Sequence, residues 1–167
     1  FRSLFFFANI EIQRDENPRP FDVGSYTGDA TPADLLSLES KLNELGYSPG
    51  SIGDNVSSLN GEKYLLKLDW NISKKHKLSL KNSYVKGVSV SPSSSSPTSI
   101  RFANGGINFS SITNTFTAEL NSTFARNSNN LIVGVTTVRD DRDPMGDPFP
   151  YVFIKEGNVA FGSEQFS

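Results

Sequence analysis

Four aspartates crowd one short stretch, Asp140-Asp141-Arg142-Asp143-Pro144-Met145-Gly146-Asp147. Hard oxygen donors gathered in a loop can hold Ca²⁺, so Asp140, Asp141, Asp143 and Asp147 are the candidate metal ligands. Their spacing is not that of an EF-hand loop, and Arg142 offsets part of their charge, so a plain solvated loop is the competing reading. Elsewhere the chemistry is sparse. The 167 residues include no cysteine and a single histidine, His76, which leaves little material for a Ser-His-Asp, Cys-His or zinc site. His76 stands beside a short turn among lysines and reads as a solvated turn residue. Gly105-Gly106 lacks the strand–turn–helix frame that phosphate binding needs. Acids scattered through loops give no defined separation for glycoside hydrolysis. Asn-x-Ser/Thr occurs at Asn55, Asn71, Asn108 and Asn121, two of them in strand-like runs, and reads as chance. A formal net charge of −2 calls for no nucleic acid. The residues point to binding and not to catalysis, with no organic cofactor.

The elements that carry these residues are strands. In Lys63-Tyr64-Leu65-Leu66-Lys67-Leu68-Asp69-Trp70-Asn71-Ile72 the even positions are apolar, and the odd ones are polar except Leu65. That is the period of a strand with one apolar and one wet face. After Ser73-Lys74-Lys75 the pattern resumes with Leu78, Leu80 and Tyr84, broken by Asn82, so the two runs form an antiparallel hairpin. A first run places Leu4, Phe6, Ala8, Ile10 and Ile12 on one face. A later one places Ile112, Phe116, Ala118, Leu120 and Phe124 together, interrupted by Asn114 and Ser122. Leu131 to Arg139 follows a short Asn-rich turn. The spacing predicts strands over about 3–14, 62–73, 76–87, 111–126 and 131–139. Tyr151-Val152-Phe153-Ile154 reads as a further short strand or an ordered stretch of loop. Within the long 15–61 segment, Thr31-Pro32-Ala33-Asp34 is a helix start, and Leu35, Leu38, Leu42 and Leu45 follow at helical spacing before Gly46. This short amphipathic helix is expected over about 32–45, its leucines packed on neighbouring loops.

The linkers run long, short, long, short, long, with long segments at 15–61, 88–110 and 140–167. In an up-and-down meander this puts every long loop at one end and both short turns at the other, as in outer-membrane barrels. The strands suit the roughly 9–11 residues that cross a bilayer at a tilt. Trp70 and Phe124 fall near the short-turn end of the apolar face, and Tyr64, Tyr84 and Phe109 near the other, as two aromatic girdles would. Five strands cannot close a wide barrel, and the chain opens within a strand, so it reads as a piece of something longer. The expected class is all-β: an antiparallel meander belonging to a transmembrane barrel, with one helix in a long external loop. The rival is a soluble all-β binding or adhesion module of a secreted protein, its apolar faces packed as a sandwich. An enzyme on such a scaffold is the weaker third reading.

A family resemblance joins here. Leu4-Phe5-Phe6-Phe7-Ala8-Asn9-Ile10-Glu11 resembles the "LFFFANYE" strand of TonB-dependent outer-membrane receptors, in the Oar-like group related to the SusC-type receptors of Bacteroidetes. Asp69-Trp70-Asn71-Ile72 before Lys75-His76-Lys77-Leu78 is similar to that group's "DWNIN-KHKL" hairpin. Ser111 to Phe124 and Arg139-Asp140-Asp141-Arg142-Asp143-Pro144 resemble later segments of the same barrels. The resemblance implies a large barrel in the bacterial outer membrane, with a plug in its N-terminal part and energy supplied by TonB through that part. Its partners would be outer-membrane lipid, the remaining strands and plug, and an unknown nutrient ligand. The polar face with Asn9, Glu11, Lys67, Asp69, Lys81, Glu119 and Asn121 would line the lumen. An isolated fragment would self-associate to hide its apolar face.

Overall fold

The computed structural model describes residues 4–163, so Ser3, at the start of the first expected strand, lies outside the described residues. The elements run β1 (Leu4–Arg19), α1 (Pro32–Glu44), β2 (Asn55–Asn71), β3 (His76–Ser91), β4 (Ile100–Arg101), β5 (Ile107–Thr123), β6 (Ser128–Pro144), β7 (Val152–Ile154) and β8 (Val159–Phe161). Five of them form one sheet in the order β1-β2-β3-β5-β6. Cross-strand contacts march in opposite senses along each pair. Glu11 meets Lys63 and Asn17 meets Ser57, while Asp69 meets Ser79 and Tyr64 meets Tyr84. The five-stranded sheet is therefore antiparallel, and the fold is all-β with one α-helix.

Both short connections are true hairpin turns. Ser73 N–H donates to the His76 carbonyl at 3.2 Å, and the Ser73 hydroxyl accepts from the N–H of Lys75 and His76. At the second turn the Phe124 N–H donates to the Asn127 carbonyl at 2.7 Å. The strands are longer than the sequence anticipates, reaching 16 or 17 residues. The extra length is polar sequence such as Asp15–Arg19 and Asp140–Pro144. Backbone pairing needs no alternation of side chains, so it extends where the hydrophobic pattern has stopped.

The chain divides into two compact units. The first comprises the described residues up to Gln13, with Asn60–Gly87 and Ser110–Asp140; it is sheet alone. The second comprises Arg14–Leu59, Val88–Phe109 and the described residues from Asp141 onward. Among the described residues, every buried apolar side chain belongs to the second unit. It is built around a three-stranded sheet in the order β4-β8-β7. β4 is parallel to β8, pairing Ile100 with Val159, whereas β7 runs antiparallel to β8 and pairs Val152 with Phe161. Leu35, Leu42, Tyr47, Ile100, Phe102, Val159 and Phe161 make its core, with Leu38 packed at the edge. The long connections thus fold together instead of lying as separate loops. Tyr151–Ile154 contains a strand as anticipated, but β4 and β8 are additions.

The helix is specified by its own ends. Thr31 is the N-cap and Pro32 the first helical residue. The Thr31 hydroxyl accepts from the Asp34 N–H at 3.2 Å, and the Thr31 N–H donates to Asp34 Oδ2 at 2.9 Å, a reciprocal capping box. At the other end Gly46 has φ +81, and the N–H groups of Tyr47 and Gly46 donate to the carbonyls of Leu42 and Asn43. This is a Schellman close, with Tyr47 folding back onto Leu42 within the core. Hydrogen bonds from the Thr31 hydroxyl and backbone hold the Asp34 carboxyl below its usual range. A carboxylate depressed in the folded state stabilises it above the ordinary aspartate pKa and loses that contribution as pH falls through the folded value. Amide exchange in the first turn of α1 is therefore expected to gain protection loss below about pH 4, and Asp34→Asn to remove that pH dependence.

Candidate functional site

Alternation gives the first unit two unlike faces. On one, Leu4, Phe6, Ala8, Ile10 and Ile12 of β1 continue into Tyr64, Leu66, Leu68 and Trp70 of β2. The same face takes Leu78, Leu80 and Tyr84 of β3, Ile112, Phe116 and Leu120 of β5, and Leu131, Val133 and Val135 of β6. Nothing in the first unit covers it: Phe6 is 86% exposed, Leu66 58% and Phe116 45%. Isolated exposed apolar residues are ordinary, but a contiguous face of this extent is not. Leu66 and Phe116 are thus not enclosed between two sheets, which a soluble sandwich requires. Leu4 to Ile12 is a rise of eight steps along β1, about 26 Å. At a tilt near 40° that is about 20 Å of depth, most of the roughly 25 Å apolar band of an outer-membrane wall.

The polar interruptions of this face are paired with one another. The Asn82 Nδ2 of β3 donates to Asn114 Oδ1 of β5 at 2.9 Å and to the Thr115 carbonyl at 3.3 Å. His76 Nδ1 lies 2.9 Å from the Ser122 hydroxyl, and its ring meets Phe124 edge-on with centroids 5.9 Å apart. The breaks in the two sequence patterns are therefore one seam across the β3–β5 pair. His76 is partly buried in this seam, a correction to its reading as a solvated turn residue; the neighbouring lysines concealed a cross-strand partner 46 residues away. Asn114 is exposed, so Asn82→Leu alone loses only the net worth of the cross-strand hydrogen bonds and is expected to cost about 1 kcal/mol or less. Asn82→Leu with Asn114→Leu should recover most of that loss, checked by a double-mutant cycle on unfolding free energy.

The opposite face is a lattice of charge and amide. Lys63 Nζ reaches Glu11 Oε1 at 2.7 Å. Lys67 Nζ reaches Asp69 Oδ2 at 2.9 Å, and the Ser79 hydroxyl donates to Asp69 Oδ1 at 2.7 Å. The amides of Asn121 and Asn130 both donate to Glu119 Oε1, at 2.8 and 2.7 Å. These exposed pairs contribute little stability, but they hold the carboxylates in place along the polar face. Glu11, Lys67, Asp69, Glu119 and Asn121, expected from sequence to share a polar surface, do so.

The aspartate cluster fares differently. Asp140, Asp141 and Asp143 lie in β6 and not in a loop, so Asp140 and Asp141 project from opposite faces and only alternate residues can converge. Asp147 follows the end of that strand. Among the described residues, no group of three or more histidines or acids is placed to hold a metal ion. The Asn55 amide is used internally: Nδ2 donates to the Ser93 carbonyl at 2.8 Å, and Oδ1 accepts from the Ser51 hydroxyl at 2.6 Å.

Sequence reasoning missed the interior of the second unit. Ile100 and Phe102 are 0% and 2% exposed, yet they sit in a run dominated by serine, proline and glycine. Their spacing of two around Arg101 was the available signal. Arg101 itself is clamped, its Nη1 and Nη2 donating to the Asn158 carbonyl and Oδ1 at 2.7 and 2.9 Å beneath the Phe153 ring.

Comparison with protein-family models, with curated proteins and with solved structures finds no match to this chain.

Proposed function

We propose that this chain is a wall segment of a TonB-dependent outer-membrane receptor, contributing five strands of a larger β-barrel and the loops that capture a nutrient ligand. The observation that carries the reading is the contiguous apolar face of five long antiparallel strands, uncovered by any other layer of its unit. Lipid is the environment that such a face fits, and strands satisfy their backbone there only in a closed sheet. β1 and β6 are the edges of the five-stranded sheet, and on this reading strands from the rest of the receptor continue it at both edges. The polar lattice of Glu11, Lys67, Asp69 and Glu119 wets the lumen, where the plug sits and TonB-driven passage occurs. The role is binding and transport, without chemistry on the ligand, in the outer membrane.

Trp70, the single tryptophan, lies on the apolar face close to the first short turn at Ser73 and reports its surroundings directly. Refolded into vesicles, the chain is expected to show Trp70 emission quenched by lipids brominated along the acyl chains, most strongly near the headgroup. In plain buffer, without lipid or detergent, it should self-associate. A monodisperse monomer in buffer whose Trp70 ignores brominated vesicles would replace this reading with a soluble all-β binding module.

A further inference from the structure

A cavity of about 270 Å³ opens in the second unit between α1 and the β7–β8 hairpin. Its floor is apolar, with Leu35 and Val159 buried and Leu38 beside them. Its rim carries three carboxylates, Asp29, Asp34 and Glu156. Both ion pairs whose geometry is given above, Lys63–Glu11 and Lys67–Asp69, lie in the first unit, and none of the three rim acids has a basic partner among the described residues. The rim therefore holds uncompensated negative charge over a greasy pit. Asp34 is fixed in place because its Oδ2 accepts from the Thr31 N–H and hydroxyl, and its Oδ1 takes no part in that cap.

The three acids are not grouped closely enough to chelate a metal ion. Separated carboxylates around an apolar floor suit a long cationic side chain, whose methylenes bury while its head reaches the rim. Guanidinium fits better than ammonium: it is weakly hydrated, and its planar fork spreads five donors over several acceptors, where an ammonium is a compact point charge. The volume is below that of ordinary small-molecule pockets, and it fits one such side chain.

We propose that this cavity is a docking site for an arginine side chain of a peptide or protein partner, with the stem on Leu35, Leu38 and Val159 and the guanidinium among Asp29, Asp34 and Glu156. The site lies wholly within the second unit, so it does not depend on the membrane reading. The test uses the whole chain and the blocked pentapeptide Gly-Gly-Arg-Gly-Gly, compared with the same peptide carrying citrulline, the neutral isostere. Saturation-transfer NMR is expected to show the arginine peptide binding at least tenfold more tightly, with affinity falling as salt rises. Asp29→Asn combined with Glu156→Gln, which touches neither the helix cap nor the core, should weaken arginine binding at least tenfold and leave thermal unfolding unchanged. Equal binding of both peptides, no binding of either, or undiminished arginine binding by a folded double variant would each overturn the proposal.

Discussion

Leu66→Arg is expected to abolish insertion into lipid, whereas Leu65→Arg, one residue away, is tolerated. The two side chains project from opposite faces of β2: Leu66 stands in the apolar row with Leu68 and Trp70, Leu65 in the row with Lys63 and Lys67. A charged arginine on the lipid side near the middle of the wall costs about 2–4 kcal/mol, and less towards either interface. On the wetted side it joins a surface already rich in lysine and carboxylate. The readout is the fraction of chain refolded into vesicles, by protease protection and by heat-dependent mobility on gels. The experiment separates the two fold readings sharply. In a soluble protein a leucine 58% exposed can become arginine within about 0.5 kcal/mol, with gained solubility. Equal insertion of the two variants would refute the assignment of faces.

Phe102→Ala is expected to loosen the second unit without disturbing the first. Phe102 is 2% exposed and meets Phe161 edge-on, with ring centroids 6.4 Å apart and planes at 88°. Truncation removes a ring from a core of few members, which also contains Tyr47 stacked on Phe149 at 4.3 Å. Phe→Ala in a packed core costs about 3–5 kcal/mol, comparable with the whole stability of a small domain. Limited proteolysis should then cut within the long connections, around residues 20–54 and 92–106, in the variant but not in the parent. Hydrogen exchange in the middle of β2, β3 and β5 should be unchanged, because those strands hold their own ladder. Proteolysis confined to the parent pattern would show that the ring contributes little to this core.

The legibility of the chain follows the range of the forces involved. Period-two alternation exposes β2 and β5 to inspection because each strand carries its whole apolar face within a dozen residues. The helix is equally legible: Thr31, Pro32, Asp34 and Gly46 act within one turn of their targets. Strand ends were less so, since Asp15–Arg19 and Asp140–Pro144 pair through backbone alone and carry no side-chain signature. That is why Asp140, Asp141 and Asp143 read as loop and prove to be strand. Asn82, Asn114 and Ser122 each look like a flaw when one strand is read in isolation, and His76 looks like a turn residue.

Local chemistry in the sequence thus determined the all-β class, the two-faced strands, the two tight hairpins and the capped helix. Tertiary structure alone decided the rest: that polar breaks in β3 and β5 meet each other, that Ile100 and Phe102 are core, and that distant loops share an interior. Those outcomes depend on contacts between residues tens of positions apart, and such contacts are set by sheet register and chain closure, which no local pattern encodes.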